Sequence, residues 1–132
     1  MSTLTDFATV LSSGGITTPV FKGTMPSTPD DLIGLFDYSA GPPVRGMSDQ
    51  PGRALAVQPY VQLVVRDTRP DDAEKTARDC MRLLDGRGGI INGVHYGGIF
   101  AMQSPFYFRL DEAGRVNYAC NFRVVKANAS SS

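Results

Sequence analysis

GRGGII, from Gly86 to Ile91, is the stretch of this 132-residue chain that comes nearest to a ligand-binding motif. It follows PYVQLVVRDTRPDDAEKTARDCMRLLD, so a strand, a Pro-Asp-Asp corner, a helix and glycines stand in series, the parts from which phosphate sites are assembled. Their order is wrong for that chemistry. A phosphate is held at a helix N-terminus, where amides and macrodipole are positive, whereas these glycines follow the helix at its negative end. GxGxxG is not satisfied, and no Gly-Lys pair occurs to make a Walker loop. The glycines predict a helix C-cap followed by a turn.

The other chemistry-bearing residues are equally unassembled. His95 is the only histidine, and no serine or cysteine stands in a nucleophile-elbow context. Acid-base work needs partners that its GVHYGG setting does not announce. Asp30-Asp31, Asp71-Asp72 and Asp111-Glu112 are adjacent pairs at element ends or turns, which read as caps and solvated corners. Cys80 and Cys120 lie far apart with no CxxC and no nearby histidine, which argues against zinc and redox motifs and for two small buried hydrophobes. No catalytic, metal or cofactor residue is assigned, and no enzyme is expected.

The elements that would position these residues follow from periodicity. Leu4, Phe7, Ala8 and Leu11 mark one face of a short helix stopped by Gly14-Gly15. ITTPVFKG and DLIGLFDYS read as strands, with Pro19 placing the first near a sheet edge. YVQLVVRD alternates, with Val61, Leu63 and Val65 on one face and Gln62, Val64 and Arg66 on the other. The next helix has Thr68 as N-cap, Pro70 in its first turn and a buried stripe of Ala73, Ala77, Cys80, Met81 and Leu84 ended by Gly86. IINGV, IFAMQ, PFYFRL and RVNYACNFRVV read as strands, the last two joined across DEAG. The order is α-β-β-(long loop)-β-α-β-β-β, which predicts an α+β domain over residues 1–126 with a mostly antiparallel sheet and two helices packed on one face. Residues 127–132 read as a flexible tail.

Charge and composition narrow the function classes. Thirteen basic and thirteen acidic side chains cancel, so the surplus of Lys and Arg that backbone binding to nucleic acid requires is missing. No apolar run reaches the roughly 18 to 20 residues needed to span a bilayer, and the N-terminus has no basic leader, so no membrane partner is expected. A net charge of zero favours self-association. The Pro/Gly-rich stretch at about 40–59, with Pro42, Pro43, Arg45, Met47 and Arg53, has no period and reads either as an interaction arm or as a flexible insertion. On the strands, Gln62, Arg66, Asn121 and Arg123 recur at period two, a face that is solvent-exposed or else a subunit interface or ring lining.

Taken in order, Pro59-Tyr60-Val61-Gln62-Leu63-Val64-Val65-Arg66, the helix start Pro70-Asp71-Asp72-Ala73, Gly114-Arg115 and Asn121-Phe122 resemble the minor capsid and tail-completion proteins of tailed bacteriophages. Within them the chain is similar to the tail terminators, over about Pro59 to Val125. The resemblance implies a structural virion protein of the tail or neck, present in the host cytoplasm during assembly. It implies a homo-hexameric ring that stops tail-tube polymerisation, contacts the tail tube protein and a head-completion or connector protein, and lets DNA pass through its lumen unheld. Gln62, Arg66, Arg115, Asn121 and Arg123 are then the expected subunit or tube contacts, although Arg115 alternatively pairs with Asp111 or Glu112. The competing readings are a stopper protein attached to the portal, and a small enzyme or ligand-binding domain using His95 and Tyr96.

Overall fold

The computed structural model describes residues 3–38, 44–45, 54–57 and 59–127. Helix α1 (Thr3–Ser13) buries Leu4, Phe7, Val10 and Leu11, and Gly15 ends it in the left-handed region at φ 93°. Strands β1 (Val20–Lys22) and β2 (Leu32–Tyr38) follow, then β3 (Val44–Arg45), β4 (Ala54–Val57) and β5 (Tyr60–Asp67). Helix α2 (Pro70–Leu84) is succeeded by β6 (Gly89–Ile91), β7 (Val94–Ala101), β8 (Phe106–Leu110) and β9 (Val116–Ala127).

The fold is the expected α+β arrangement, a curled and mostly antiparallel sheet carrying both helices. Strand β9 is its spine. It pairs along one side with β5 and β4, and along the other with β7 and β8. The core lies on the helix side, where Phe7, Leu11, Ala73, Ala77, Cys80 and Leu84 meet Ile33, Leu35, Val61, Leu63, Val65, Cys120, Phe122 and Val124. Phe7 stands edge-on to Phe122 at 5.7 Å. Both cysteines are free and buried.

Three local readings change, and the placement of the first strand at a sheet edge gains a direction. The N-cap of α2 is Arg69 rather than Thr68, because Pro70 takes the first helical position and the Asp67 carboxylate receives the Arg69 amide at 3.3 Å and the Thr68 hydroxyl at 3.4 Å. IINGV is not one strand: Asn92 (φ 52°) and Gly93 (φ 80°) make the two-residue turn of the β6–β7 hairpin. The stretch read as a structureless loop holds two strands, β3 and β4, with Ala56 and Val57 paired to the end of β9. Finally, β1 runs parallel to β2 at the sheet margin, the single parallel pair among the described strands. The connection between them, residues 23–31, crosses the outer face of the sheet.

Asp6, the acid inside the apolar pattern of α1, is fully buried and satisfied. It accepts hydrogen bonds from the Tyr96 hydroxyl and, at 2.8 Å, from the Asn92 amide. Lys126, at the far end of β9, donates to the Thr3 hydroxyl at 2.7 Å. These polar contacts fasten α1 to the β6–β7 hairpin and to the end of the spine.

Candidate assembly surface

The outer face of the sheet, opposite the helices, divides into a covered half and an open half. In the covered half Leu32, Val64, Arg66, Asn117 and Ala119 are all buried. What lies over them is the 23–31 segment, with Met25 packed on Gly34 so closely that a Cβ there would stand 2.6 Å from its Cγ. Two arginines hold that segment down. Arg66, 4% exposed, donates its Nε to the Asp30 carbonyl at 3.2 Å and one terminal nitrogen to the carbonyls of Pro26 (2.7 Å) and Pro29 (2.6 Å). Arg115 donates to the Ser27 carbonyl at 2.6 Å and pairs with the carboxylates of Asp111 at 2.8 Å and Asp30 at 3.3 Å.

The electrostatics fit this anchoring role. Burial, followed by the neighbouring Arg115 cation, lowers the Arg66 guanidinium from its ordinary value. The Asp111 carboxyl is held below the usual carboxylate range, first by the Arg115 backbone amide and further by the Arg115 side chain and the Ala113 amide. Arg66, Arg109, Arg115, Asp111 and Glu112 line an open cleft of about 490 Å³. Its arginines at positions 66 and 115 already have partners, so it presents no unpaired cation array for an anion.

In the open half, the row Tyr38–Tyr60–Arg123–Phe100 crosses four strands in register. Tyr38 and Tyr60 rings lie 5.5 Å apart, and the Arg123 guanidinium sits 5.1 Å over the Phe100 ring. In the next row Gln62 donates to the Asn121 side-chain carbonyl at 3.0 Å, and Met102 bonds the Asn121 backbone at 2.8 Å. Tyr38, Phe100 and Met102 are exposed, while Gln62, Asn121 and Arg123 are half-buried. Of the five predicted polar contacts, the structure therefore brings Gln62, Asn121 and Arg123 onto one open surface and places Arg66 and Arg115 under the 23–31 segment. Pro42, Pro43, Met47 and Arg53 lie outside the described residues, and Arg45 is described only as part of β3.

Sequence reasoning missed the apolar members of this surface. IFAMQ and DLIGLFDYS contained Phe100, Met102 and Tyr38, but alternation alone does not say which face of a strand stays uncovered. His95 is exposed on β7 whereas its neighbour Tyr96 is buried against Asp6, so the two do not share a pocket. Among the described residues no group of three or more His, Cys, Asp or Glu could hold a metal, and no helix is long and apolar enough to cross a membrane.

A family model described as "Bacteriophage tail terminator protein" matches residues 6–128. The chain belongs to the bacteriophage tail terminator family. It is accordingly a structural protein of the phage tail and of the virion, in a family not known for catalysis. The fold is similar to that of a chain in a solved structure titled "Virion of native gene transfer agent (GTA) particle", with a TM-score of 0.66 over 96% of each chain at 14% identity. No curated protein matches this chain.

Proposed function

We propose that this tail terminator forms a hexameric ring at the head-proximal end of the tail tube, where it stops tube polymerisation and presents the surface to which the head connector attaches. The observation that carries the reading is the family match over residues 6–128. The open half of the outer sheet face supports it. Its mixture of tyrosines, a cation–π pair and an amide pair is the composition of a protein contact, apolar and aromatic at the centre with hydrogen-bonding groups beside it. Gln62, Asn121 and Arg123 are the contact residues of this surface toward a neighbouring subunit or the tube. Arg66 and Arg115 lie beside it, fixing the 23–31 segment over the other half of the face. DNA passes through the lumen without being held, consistent with a net charge of zero.

Electron microscopy of particles carrying labelled protein tests this reading. Label at the head-proximal end of the tube, with tubes of uncontrolled length when the protein is missing, is expected. Label anywhere else, or a ring of twelve copies by native mass measurement, overturns it.

A further inference from the structure

Strand β8 is built unlike a solvated edge. It pairs with β9 on one side and with no described strand on the other. Tyr107, Phe108 and Leu110 are nevertheless 55%, 42% and 58% exposed. Edges left to solvent are normally short, charged or proline-bearing, because unpaired N–H and C=O groups beside apolar side chains invite another chain. A bulge between Tyr107 and Arg109 interrupts the ladder, but it adds Phe108 to the exposed apolar set instead of a charge.

The same sheet offers a matching edge. Among the described strands β1 pairs with β2 alone, and two register rows run across the sheet from one margin to the other. They are Val20–Ile33–Val65–Tyr118–Tyr107 and Phe21–Gly34–Val64–Ala119–Phe106. The two free edges thus lie at the same height. Because β1 is parallel to β2 and every later step is antiparallel, β8 points opposite to β1.

From this geometry we infer that β8 of one copy packs against β1 of the next, and that this edge-to-edge contact closes the ring. The inference rests on the ring reading given above and specifies its subunit interface. Rotation about an axis along the strands preserves strand direction, so the two edges meet antiparallel, the more stable pairing. Edges at one height impose no rise per subunit, the condition for a heterologous contact to close instead of growing into a filament. A net charge of zero leaves no overall repulsion between copies.

The test combines stoichiometry with cross-linking, on the full chain alone and on tail tubes. Tyr107→Cys is paired in turn with Thr18→Cys, Val20→Cys or Lys22→Cys, since directly opposed antiparallel residues fall within disulfide reach. At least one pair should give, on oxidation, a ladder of linked copies ending at the ring number, while each single variant stays unlinked. Leu110→Asp, at an exposed position, should keep the monomer's circular dichroism and reduce ring formation at least tenfold. Rings that form without any of these cross-links and survive Leu110→Asp overturn the interface and leave the ring reading intact. Linkage to the tube protein by a photoactivated cross-linker attached at Tyr107→Cys assigns β8 to that partner and overturns it as well. Failure of the unmodified chain to form a ring under either condition overturns both.

Discussion

Replacing Arg66 should loosen the outer face without unfolding the protein. Its three hydrogen bonds reach the carbonyls of Pro26, Pro29 and Asp30 from a side chain that is 4% exposed. Bonds from a charged donor contribute about 1.5–3 kcal/mol each. The carbonyls sit on a surface segment that water can reach once the guanidinium is gone, so the lower end applies and Arg66→Ala should cost about 4–5 kcal/mol. That is within the roughly 5–15 kcal/mol of a typical domain, so a folded variant remains to be measured. Arg66→Lys keeps the charge but not the planar fork, and should still lose about 2 kcal/mol. Urea unfolding followed by circular dichroism measures both, and tryptic cleavage after Lys22, at the base of the released segment, should accelerate in parallel. A loss under about 0.5 kcal/mol for both variants would show that the 23–31 segment is held by Arg115, Met25 and the prolines without Arg66.

Further expectations concern the core and the open surface. Tyr96→Phe leaves the buried Asp6 carboxylate with the Asn92 amide but without the hydroxyl, and should lower unfolding free energy by about 1.5–3 kcal/mol in urea titrations. Burial first, then the Asp79 charge, pushes the Cys80 thiol up to about 12, and burial followed by Asp85 pushes Cys120 to about 11. Native protein at pH 8 should therefore react with a thiol reagent at neither cysteine, and at both in denaturant. These raised values mean the folded state keeps protons that the unfolded chain releases above about pH 9. Stability should be flat through neutral pH and fall progressively as pH rises from about 9 toward 11, a profile that unfolding curves at several pH values can contradict. Arg123→Ala, which removes the cation over Phe100, should change melting temperature by less than a few degrees while weakening ring or tube assembly in a sedimentation assay.

What could be read in the sequence was whatever depends on neighbours along the chain. The stripe of α2, with Met81 only partly buried, and the alternation of β9 appear in the fold, because helical and strand periods put those residues on one face whatever else the chain does. The Asn92-Gly93 turn was also written in the chain, but the apolar residues on either side of it read as one strand. The parallel pairing of β1 with β2 and the passage of residues 23–31 over the sheet are set by contacts between distant segments, and no local pattern announces them. For the same reason Arg66 and Gln62, two positions of one alternating face, are alike in the sequence and differ in the fold. One lies under a covering segment and the other on open surface, and only the path of the 23–31 chain makes the difference.

That covering segment is fastened in an unusual currency. Arg66 binds it solely through main-chain oxygens, and Arg115 adds the Ser27 carbonyl beside its single side-chain partner there, the Asp30 carboxylate. Every amino acid supplies a carbonyl, so the identities of residues 26 and 27 are free to drift as long as the backbone path is kept. The outward side chains of this strap can then be exchanged to suit a different neighbour while the two arginines beneath it stay as they are, which makes it a natural place to graft new binding specificity onto the terminator scaffold.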